Sequence, residues 1–506
     1  MEKVKTLEKS SIMDKVKPQG MSNSSVIHLM ISLFFMFIFG RICPTWSTVT
    51  RMGVQGLSIL IGAIWLISNR FGLVFTSFLG MFAVVASGYK TGNAILSTTL
   101  GSDVVFQLIL VFVFVYAISE TGADAVLARW MISRKSLNGK PVLFSVVFML
   151  SITFLAAIVS SLGAFMFSVA MINSIAKATG YEEKSQWKKT MMTGAICTSS
   201  IGGAILPFKG LSLMIFNMFT IGIKASGIQI NQVAYMGSAL IAGLLFSVAF
   251  GLSVGPLFRV DFTKLRQADV AAITQEGGTK MNKAQVIVML SFFVGFLYSI
   301  AMIWVPKTSP NYPLFAGVGQ GFWFMIILVG LSLIRIDGKT IINIDQIIGK
   351  AVNWGIVFAV CMFTIVGMMI SDKEVGIQSW LGNVLSGVFG NMSFPVFMIT
   401  LVLATILLTN TFSNTATAVI IGTLTAPFIL QYATSAGINP NAVIPAVVMS
   451  ASCAYLTMGA GGSSPIYLGL DCMKGETKWV WTYGLIALVL EVTMTTGAFI
   501  LCSYLL

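Results

Sequence analysis

The segment TNTFSNTATAVI, residues Thr409 to Ile420, sets the problem for the whole chain because it is polar sequence inside apolar sequence. Seven of its twelve side chains are hydroxyls or amides, whereas ITLVLATILL precedes it and IGTLTAPFIL follows it. Flanks of this kind indicate the interior of a membrane. Polar backbone at that depth is tolerated only where protein buries it or where it lines a water-filled cavity.

The composition indicates an all-α polytopic membrane protein. The 506 residues are 56% hydrophobic and 10% charged, with a mean hydropathy of +0.89, whereas soluble domains carry about 25% charged residues. Apolar runs of about 20 residues, enough to span ~30 Å of hydrocarbon, recur along the chain. A β-barrel would show shorter, alternating segments instead.

The charge and the rare residue types exclude several functions. The six cysteines are scattered singly and His28 is the one histidine, so a zinc or redox site is not expected. Of the 31 Lys and Arg residues, 24 fall in segments assigned to the cytoplasm and seven elsewhere. The net charge of +13 is therefore mainly a topology signal rather than a nucleic-acid surface. The sequence contains neither an H-E-x-x-H motif nor paired intramembrane aspartates, so an enzyme is not expected.

Two long apolar regions decide the topology. Residues 141–176 have four basic residues in 129–140 before them and four lysines in 177–189 after them. Because cytoplasmic loops carry excess Lys and Arg, both ends of the region are predicted to lie on the cytoplasmic side. A segment that begins and ends on one side is a re-entrant hairpin. Residues 392–433 are assigned the same shape, entering from the opposite side.

The hairpins divide the chain into two halves. We expect a cytoplasmic tail at 1–25, a first half at 26–258, a cytoplasmic linker at 259–283 and a second half at 284–506. The N-terminus is then cytoplasmic and the C-terminus outside, in a bacterial inner membrane or plasma membrane. About eleven transmembrane helices are predicted besides the hairpins, near 26–42, 52–68, 71–88, 104–119, 190–222, 232–257, 284–304, 315–334, 352–370, 441–469 and 479–503.

The two halves repeat each other at an offset of 253 residues. FLAAIVSSLGAFMF in the first hairpin matches ILLTNTFSNTATAV in the second, with Ser160 aligned on Ser413. The glycine-interrupted stretch CTSSIGGAILPFKG, 197–210, aligns with SASCAYLTMGAGGS, 450–463. Inverted repeats with broken helices that meet near the midplane are typical of secondary transporters. Freed carbonyls and hydroxyls there suit a small cation, and freed N–H groups suit an anion.

These residues resemble the divalent anion:sodium symporters of the ion transporter superfamily, over most of the chain. Ser413-Asn414-Thr415 matches their Ser-Asn-Thr signature. The stretch 200–203, Ser-Ile-Gly-Gly, is similar to their first broken-helix motif, and 118–131 is similar to their short amphipathic segment before the first hairpin.

The resemblance implies a scaffold domain that forms a homodimer and a transport domain that carries both hairpins by an elevator motion. It implies di- or tricarboxylate substrates such as succinate, malate or citrate, and sodium ions bound at the hairpin tips. The residues implied for sodium are Ser160 and Gly203 in the first half and Thr409, Ser413, Asn414, Ala460 and Gly461 in the second. Those implied for the substrate are Ser161, Lys209, Asn414, Thr415, Thr417, Ser463 and Ser464.

The first half departs from the family pattern at two places. Its Ser-Asn-Thr position reads Ser160-Ser161-Leu162, and Lys209 stands about where a sodium-ligating glycine belongs. A charge at the bilayer centre costs roughly 2.5–3.5 kcal/mol, so the side chain should face a partner or cavity, or else snorkel to the surface. We expect its ammonium to occupy the first sodium position or to pair with a substrate carboxylate. One or two sodium ions are then coupled, or none in an exchanger.

Other functions remain open from the residues alone. A sodium/proton antiporter of the same superfamily would need carboxylates at the hairpin tips, which lack them. The family's first asparagine is replaced by Ser161, and its loss could suit a carrier of a smaller, sulfate-like inorganic anion. A channel would keep one continuous pore, which two opposed hairpins argue against.

Overall fold

The computed structural model describes residues 23–223, 231–269, 273, 278–304, 309–310, 312–377, 379–380, 383–384, 392–411, 414–457 and 463–505. This part of the chain is helical apart from loops and one short β-hairpin, β1 Arg335–Ile336 with β2 Lys339–Thr340. The predicted all-α class is confirmed.

The helices of the first half follow one another with short connections. They are α1 Asn23–Ile42, α2 Arg51–Ser68, α3 Leu73–Ser87, α4 Gly92–Thr98, α5 Asp103–Thr121, α6 Ala123–Ile132, α7 Pro141–Ile158, α8 Ser161–Thr179, α9 Gln186–Gly203, α10 Gly210–Ile223 and α11 Gln232–Ser253. A short helix, α12 Thr263–Gln267, lies in the predicted linker.

The second half begins after the linker. Its helices are α13 Lys283–Trp304, α14 Tyr312–Leu333, α15 Ile344–Ala351, α16 Trp354–Ser371, α17 Phe394–Thr409, α18 Asn414–Ser435, α19 Ile444–Ser452, α20 Ser464–Gly469 and α21 Thr477–Leu505.

Continuous spans are fewer than the predicted number. Within the described ranges, six helices are each long and apolar enough to cross a membrane, and three sharply bent pairs raise this to nine. The predicted helices at 190–222 and 441–469 are each divided in two, at 204–209 and at 453–463. Pro207 lies in the first break and the sequence of the second contains three glycines, and neither residue type favours a helix interior.

The offset of 253 residues reappears in the helix boundaries. Pro141 begins α7 and Phe394 begins α17, while Ser161 begins α8 and Asn414 begins α18. Each pair of residues is separated by 253 positions. The two predicted hairpins are therefore equivalent helix pairs, and in each pair the two helices pack against each other.

The broken helices form the centre of the molecule. Every residue of α9 from Trp187 to Gly202 is buried, and so is every residue of α19 from Ile444 to Ala451. The first helix of each hairpin covers the broken helix of its own half: α7 packs on α9 and α17 packs on α19. This arrangement places both hairpin tips beside helix breaks.

Hydrogen bonds and ion pairs are among the contacts that join the halves. Near α2, the amide of Thr50 donates to the carbonyl of Val375 at 3.1 Å, and the Thr48 hydroxyl donates to that of Gly376 at 2.9 Å. At the start of α9, the buried Lys189 ammonium lies 2.9 Å from Glu476 of the second half.

Candidate functional site

Lys209 ends the break between α9 and α10. The next residue, Gly210, has φ +43°, a left-handed value that glycine adopts readily, and it directs the chain into α10. The half-buried Lys209 side chain turns inward. Its ammonium donates to the carbonyl oxygens of Ala156 and Ala157, each at 2.8 Å.

Those two carbonyls lie in the last turn of α7 and have no hydrogen-bond partner within that helix. The last four C=O groups of an α-helix have no partner within the helix, and α7 ends at Ile158. A cation at this end also meets the negative pole of the helix dipole. Lys209 is therefore a charged cap on the tip of the first hairpin, and the snorkelling alternative is wrong because Nζ lies on backbone inside the protein.

A cavity of 220 Å³ adjoins this cap. Its polar lining comes from the first hairpin tip, from the segment between α9 and α10 and from the end of α19, and much of its apolar lining comes from α5 and α16. The lining residues are Leu108, Val111, Phe112, Val115, Ser160, Ser161, Gly203, Ala204, Lys209, Gly210, Leu211, Ser212, Ile356, Val448 and Ser452.

The cavity suits a small anion. Among the described residues that line the cavity, the charged one is Lys209. Its ammonium has two uncharged carbonyls as hydrogen-bond partners. An ammonium has three donors, so one is left beyond these two bonds. The volume lies below the ~300–1,000 Å³ of sites for drug-sized ligands, which limits the cavity to a compact molecule.

Glycine allows the close approach that forms the cavity wall. A Cβ at Gly202 would lie 2.3 Å from the carbonyl oxygen of Thr153 in α7. A Cβ at Gly203 would lie 1.8 Å from the hydroxyl of Ser161. The structure therefore brings together four predicted site residues: Ser160, Ser161, Gly203 and Lys209.

Oxygen atoms gather at the second hairpin tip. The Thr409 hydroxyl donates to the carbonyl of Ala451 and lies 3.1 Å from Oδ1 of Asn414. Ala451 precedes Ser452, which lines the cavity, so the two tips adjoin through the end of α19. A hydroxyl, an amide oxygen and a carbonyl are the neutral oxygen ligands that a small hard cation accepts.

The two tips differ in how well they fit a cation. At the second, Thr409, Asn414 and the Ala451 carbonyl provide such a donor set. At the first, the freed carbonyls of Ala156 and Ala157 already face an ammonium. The oxygens of the second tip are therefore of the kind that a sodium ion accepts, whereas an ammonium already holds the position at the first tip.

Asn410 is a buried residue of the second hairpin tip that sequence reasoning did not single out. Its amide donates to the carbonyls of Ile406 and Cys453 at 3.0 and 3.2 Å, and its Oδ1 accepts from the amides of Tyr455 and Leu456 at 3.2 and 3.0 Å. It thereby satisfies the backbone that the break after α19 leaves unpaired. The sequence feature that could have identified Asn410 is its position in the polar segment 409–420, next to the predicted site residue Thr409.

The other predicted residues lie apart from the cavity. Thr415 is half-buried at the start of α18, and Thr417 is fully buried, with no hydrogen-bond partner for its hydroxyl within the described structure. Ser464 donates to the carbonyl of Ala454 and so closes the helix break, while Ser463 is half-buried before it. Ser413, Ala460 and Gly461 lie outside the described residues.

One short pattern resembles a hydrolase motif without its setting. Residues Gly251 to Gly255 read G-L-S-V-G, but Ser253 is the last residue of α11 and its hydroxyl donates to the carbonyl of Phe250. A nucleophile elbow needs a strand-to-helix turn that exposes the serine.

Comparisons with known proteins agree with this architecture. The family described as "Citrate transporter" matches residues 63–452. This match bears out the resemblance to organic-anion transporters of the ion transporter superfamily. No curated protein sequence matches the chain.

Two solved transporters share the fold. The YdaH transporter of Alcanivorax borkumensis is 12% identical, with a TM-score of 0.53 over 90% of this chain and 98% of that one. MtrF of Neisseria gonorrhoeae, from a class of antimetabolite efflux pumps, is 11% identical, with a TM-score of 0.56 over 92% and 97%. At these identities the similarity shows the fold alone. The family and both structures are transporters rather than enzymes, and the chain is a multi-pass membrane transporter that belongs to the citrate transporter family.

Proposed function

We propose that the protein is a secondary active transporter of small di- and tricarboxylates, with succinate, malate and citrate as the first candidates. The observation that carries the proposal is the Lys209 ammonium beside a 220 Å³ cavity lined by Ser160, Ser161 and Ser452. A fixed cation with neutral partners attracts a carboxylate, and the hydroxyls can donate to its oxygens. The family match supports the same class of substrate.

We propose further that Lys209 replaces one coupling cation. Its ammonium supplies positive charge to the first hairpin tip without an ion from solution. The second tip retains the oxygen set of Thr409, Asn414 and Ala451. Sodium bound there would be released with the substrate, so one sodium per cycle is expected, or none if internal substrate drives exchange.

The remaining parts of the proposal follow from the family resemblance. They are an elevator motion of a transport domain that contains both hairpins, a homodimer formed by the scaffold domain, and residence in a plasma or inner membrane with the N-terminus cytoplasmic. The cluster of Lys184, Lys189 and Glu476 supports the topology, because the basic segments at both its ends were assigned to the same side.

Uptake into proteoliposomes tests the proposal. Labelled citrate, succinate and sulfate are each offered with and without an inward sodium gradient, and with and without the same unlabelled substrate inside. Saturable uptake that depends on sodium supports symport, and uptake that needs internal substrate supports exchange. Inward sulfate uptake with no transport of either carboxylate would contradict the proposed substrate class.

A matched pair of variants tests the role of the cation. Lys209→Met keeps the side-chain length and removes the charge, whereas Lys373→Met removes an exposed charge away from the cavity. Loss of one partner of a buried charged hydrogen bond costs roughly 2–5 kcal/mol, so substrate affinity should fall on the order of 30-fold or more in Lys209→Met. Unchanged affinity in both variants would remove Lys209 from the site.

A further inference from the structure

A second cavity, of 690 Å³, lies between α6 and the start of α13. Val126 and Leu127 of α6 and Val286 of α13 form its apolar floor. Arg134 and Lys280, both exposed, stand at its rim. The cavity is therefore amphipathic, with positive charge confined to one edge.

The two rim charges have no ion-pair partner among the described residues, and one of them is fixed in place. The Arg134 guanidinium lies over the ring of Trp130, 3.8 Å from its centroid, in cation–π contact. Neither Arg134 nor Lys280 takes part in any ion pair of the described residues. Two cations without an ion pair in the described part of the chain therefore lie beside apolar side chains.

The cavity lies where a membrane interface is expected. Arg134 and Lys280 come from 129–140 and 259–283, two separate segments that the positive-inside rule assigns to the cytoplasm. α6 turns away from α5 by 65° at Gly122, which has φ +70°. Trp130 on α6 is 48% exposed, as interfacial tryptophans are.

We propose that this cavity binds an anionic phospholipid, with the phosphate between Arg134 and Lys280. The apolar floor would receive the glycerol region and the first part of an acyl chain. Basic pockets on the cytoplasmic side of membrane proteins recognise anionic headgroups in this way. The site is distinct from the transport cavity at Lys209.

The walls of the site are built into the fold. The Gln285 amide of α13 donates to the carbonyl of Thr121 at 2.8 Å, which ties α13 to the end of α5. α6 also packs on α7, the first helix of the first hairpin. A bound lipid would contact the element that leads into that hairpin.

The test measures binding to the purified full-length protein in an uncharged detergent. Three probes are titrated: short-chain phosphatidylglycerol, phosphatidylcholine with the same chains, and inorganic phosphate. Intrinsic tryptophan fluorescence and the thermal unfolding temperature are read. We expect saturable binding of phosphatidylglycerol, at least ten-fold weaker binding of phosphatidylcholine, and no response to phosphate at the same concentration.

Variants locate the binding. Each basic residue near an anionic headgroup contributes about five-fold in affinity, so R134Q/K280Q should weaken phosphatidylglycerol binding on the order of 30-fold. R134K/K280R should retain it. R335Q/K339Q, which removes two exposed cations from the β-hairpin on the same predicted side, is the matched control and should bind as the unaltered protein does.

Three results would overturn the proposal. They are equal binding of the two lipids, phosphate binding equal to that of phosphatidylglycerol, and an unchanged Kd in R134Q/K280Q. If that variant does not fold, K280Q alone decides at its exposed position, with an expected five-fold loss. Because binding is read directly, the outcome does not depend on which anion the protein transports.

Discussion

The carbonyl oxygen of Ala157 accepts a 2.8 Å hydrogen bond from the ammonium of Lys209. In the second repeat, the position 253 residues after Ala157 is Asn410, which also reaches across to its own broken helix. Each hairpin tip is thus fastened to the helix break of its own half. In the first half the break supplies a charged donor, and in the second half the hairpin supplies an uncharged amide.

Lys209→Ala should make transport more dependent on sodium. The substitution frees the carbonyls of Ala156 and Ala157 and leaves room beside them, so that a sodium ion can take the place of the ammonium. We expect uptake without sodium to fall at least ten-fold and the dependence on sodium concentration to become steeper. Lys209→Met, which fills the space, is the control and should not recover with sodium. A shallow sodium dependence in Lys209→Ala would contradict the exchange of one cation for another.

Asn410→Ala should destabilise the protein strongly. It leaves two buried backbone amides, of Tyr455 and Leu456, without an acceptor, at a cost of roughly 3 kcal/mol in the free energy of unfolding. The control is Asn69→Ala, because Asn69 also donates to the carbonyl four residues earlier but through a solvent-exposed hydrogen bond. Thermal unfolding of both variants measures the difference, and equal losses would show that the bonds across the break contribute little.

Gly202→Ala and Gly203→Ala should have different effects. The added Cβ at Gly202 meets backbone of α7, which does not move cheaply, so we expect a loss of about 3 kcal/mol in the free energy of unfolding. At Gly203 it meets the rotatable hydroxyl of Ser161, so stability should change less while substrate affinity falls. Gly330→Ala, with no atom within 4 Å of the new Cβ, is the control for both. Equal unfolding temperatures for the first two variants would refute the distinction.

The cluster at the start of α9 should make stability depend on pH. Hydrogen bonds from Lys189 and Lys184 hold the pKa of Glu476 below its ordinary value of 4.5. A carboxylate with a lowered pKa stabilises the folded state above its unfolded pKa, and this contribution is lost as the pH falls through the folded value. Glu476→Gln should therefore lower the unfolding temperature at pH 7 by about 1 to 3 °C.

The same comparison at low pH is the internal check. The difference between the unaltered protein and Glu476→Gln should disappear once the pH lies below the lowered pKa of Glu476 in the folded state, because the carboxylate is then protonated. The exposed Glu374 provides the control, and Glu374→Gln should change neither value. A difference that persists at low pH would mean that the Glu476 side chain acts through its shape rather than its charge.

The sequence predicted the repeat well because the pattern is periodic and long. Aligning Ser160 on Ser413 placed the hairpins, and the helix starts at Ser161 and Asn414 agree with it. Lys209 could also be singled out, since a lone charge in apolar sequence must find a partner. Its partners are backbone carbonyls, which no side-chain pattern records.

The second hairpin shows where sequence reasoning ends. Thr409, Asn410 and Asn414 are all polar, and which of them faces the helix break depends on where α17 ends. Each added helical residue rotates the next side chain by 100°, so an uncertainty of one residue changes the assignment. Ser464, predicted to bind substrate, donates its hydroxyl to the backbone carbonyl of Ala454 at the helix break, a partner that the sequence pattern does not reveal.

The contact between Thr50 and Val375 bears on how the protein is made. The Thr50 hydroxyl accepts from the amide of Gly53 at the start of α2 and donates to the carbonyl of Val375, 325 residues further along the chain. At about 5–20 residues per second, the ribosome needs roughly 15 to 65 s to supply that partner. During this interval the first half lies in the membrane without its contact to Val375. A delay or a truncation in the second half therefore leaves the early helices without this partner.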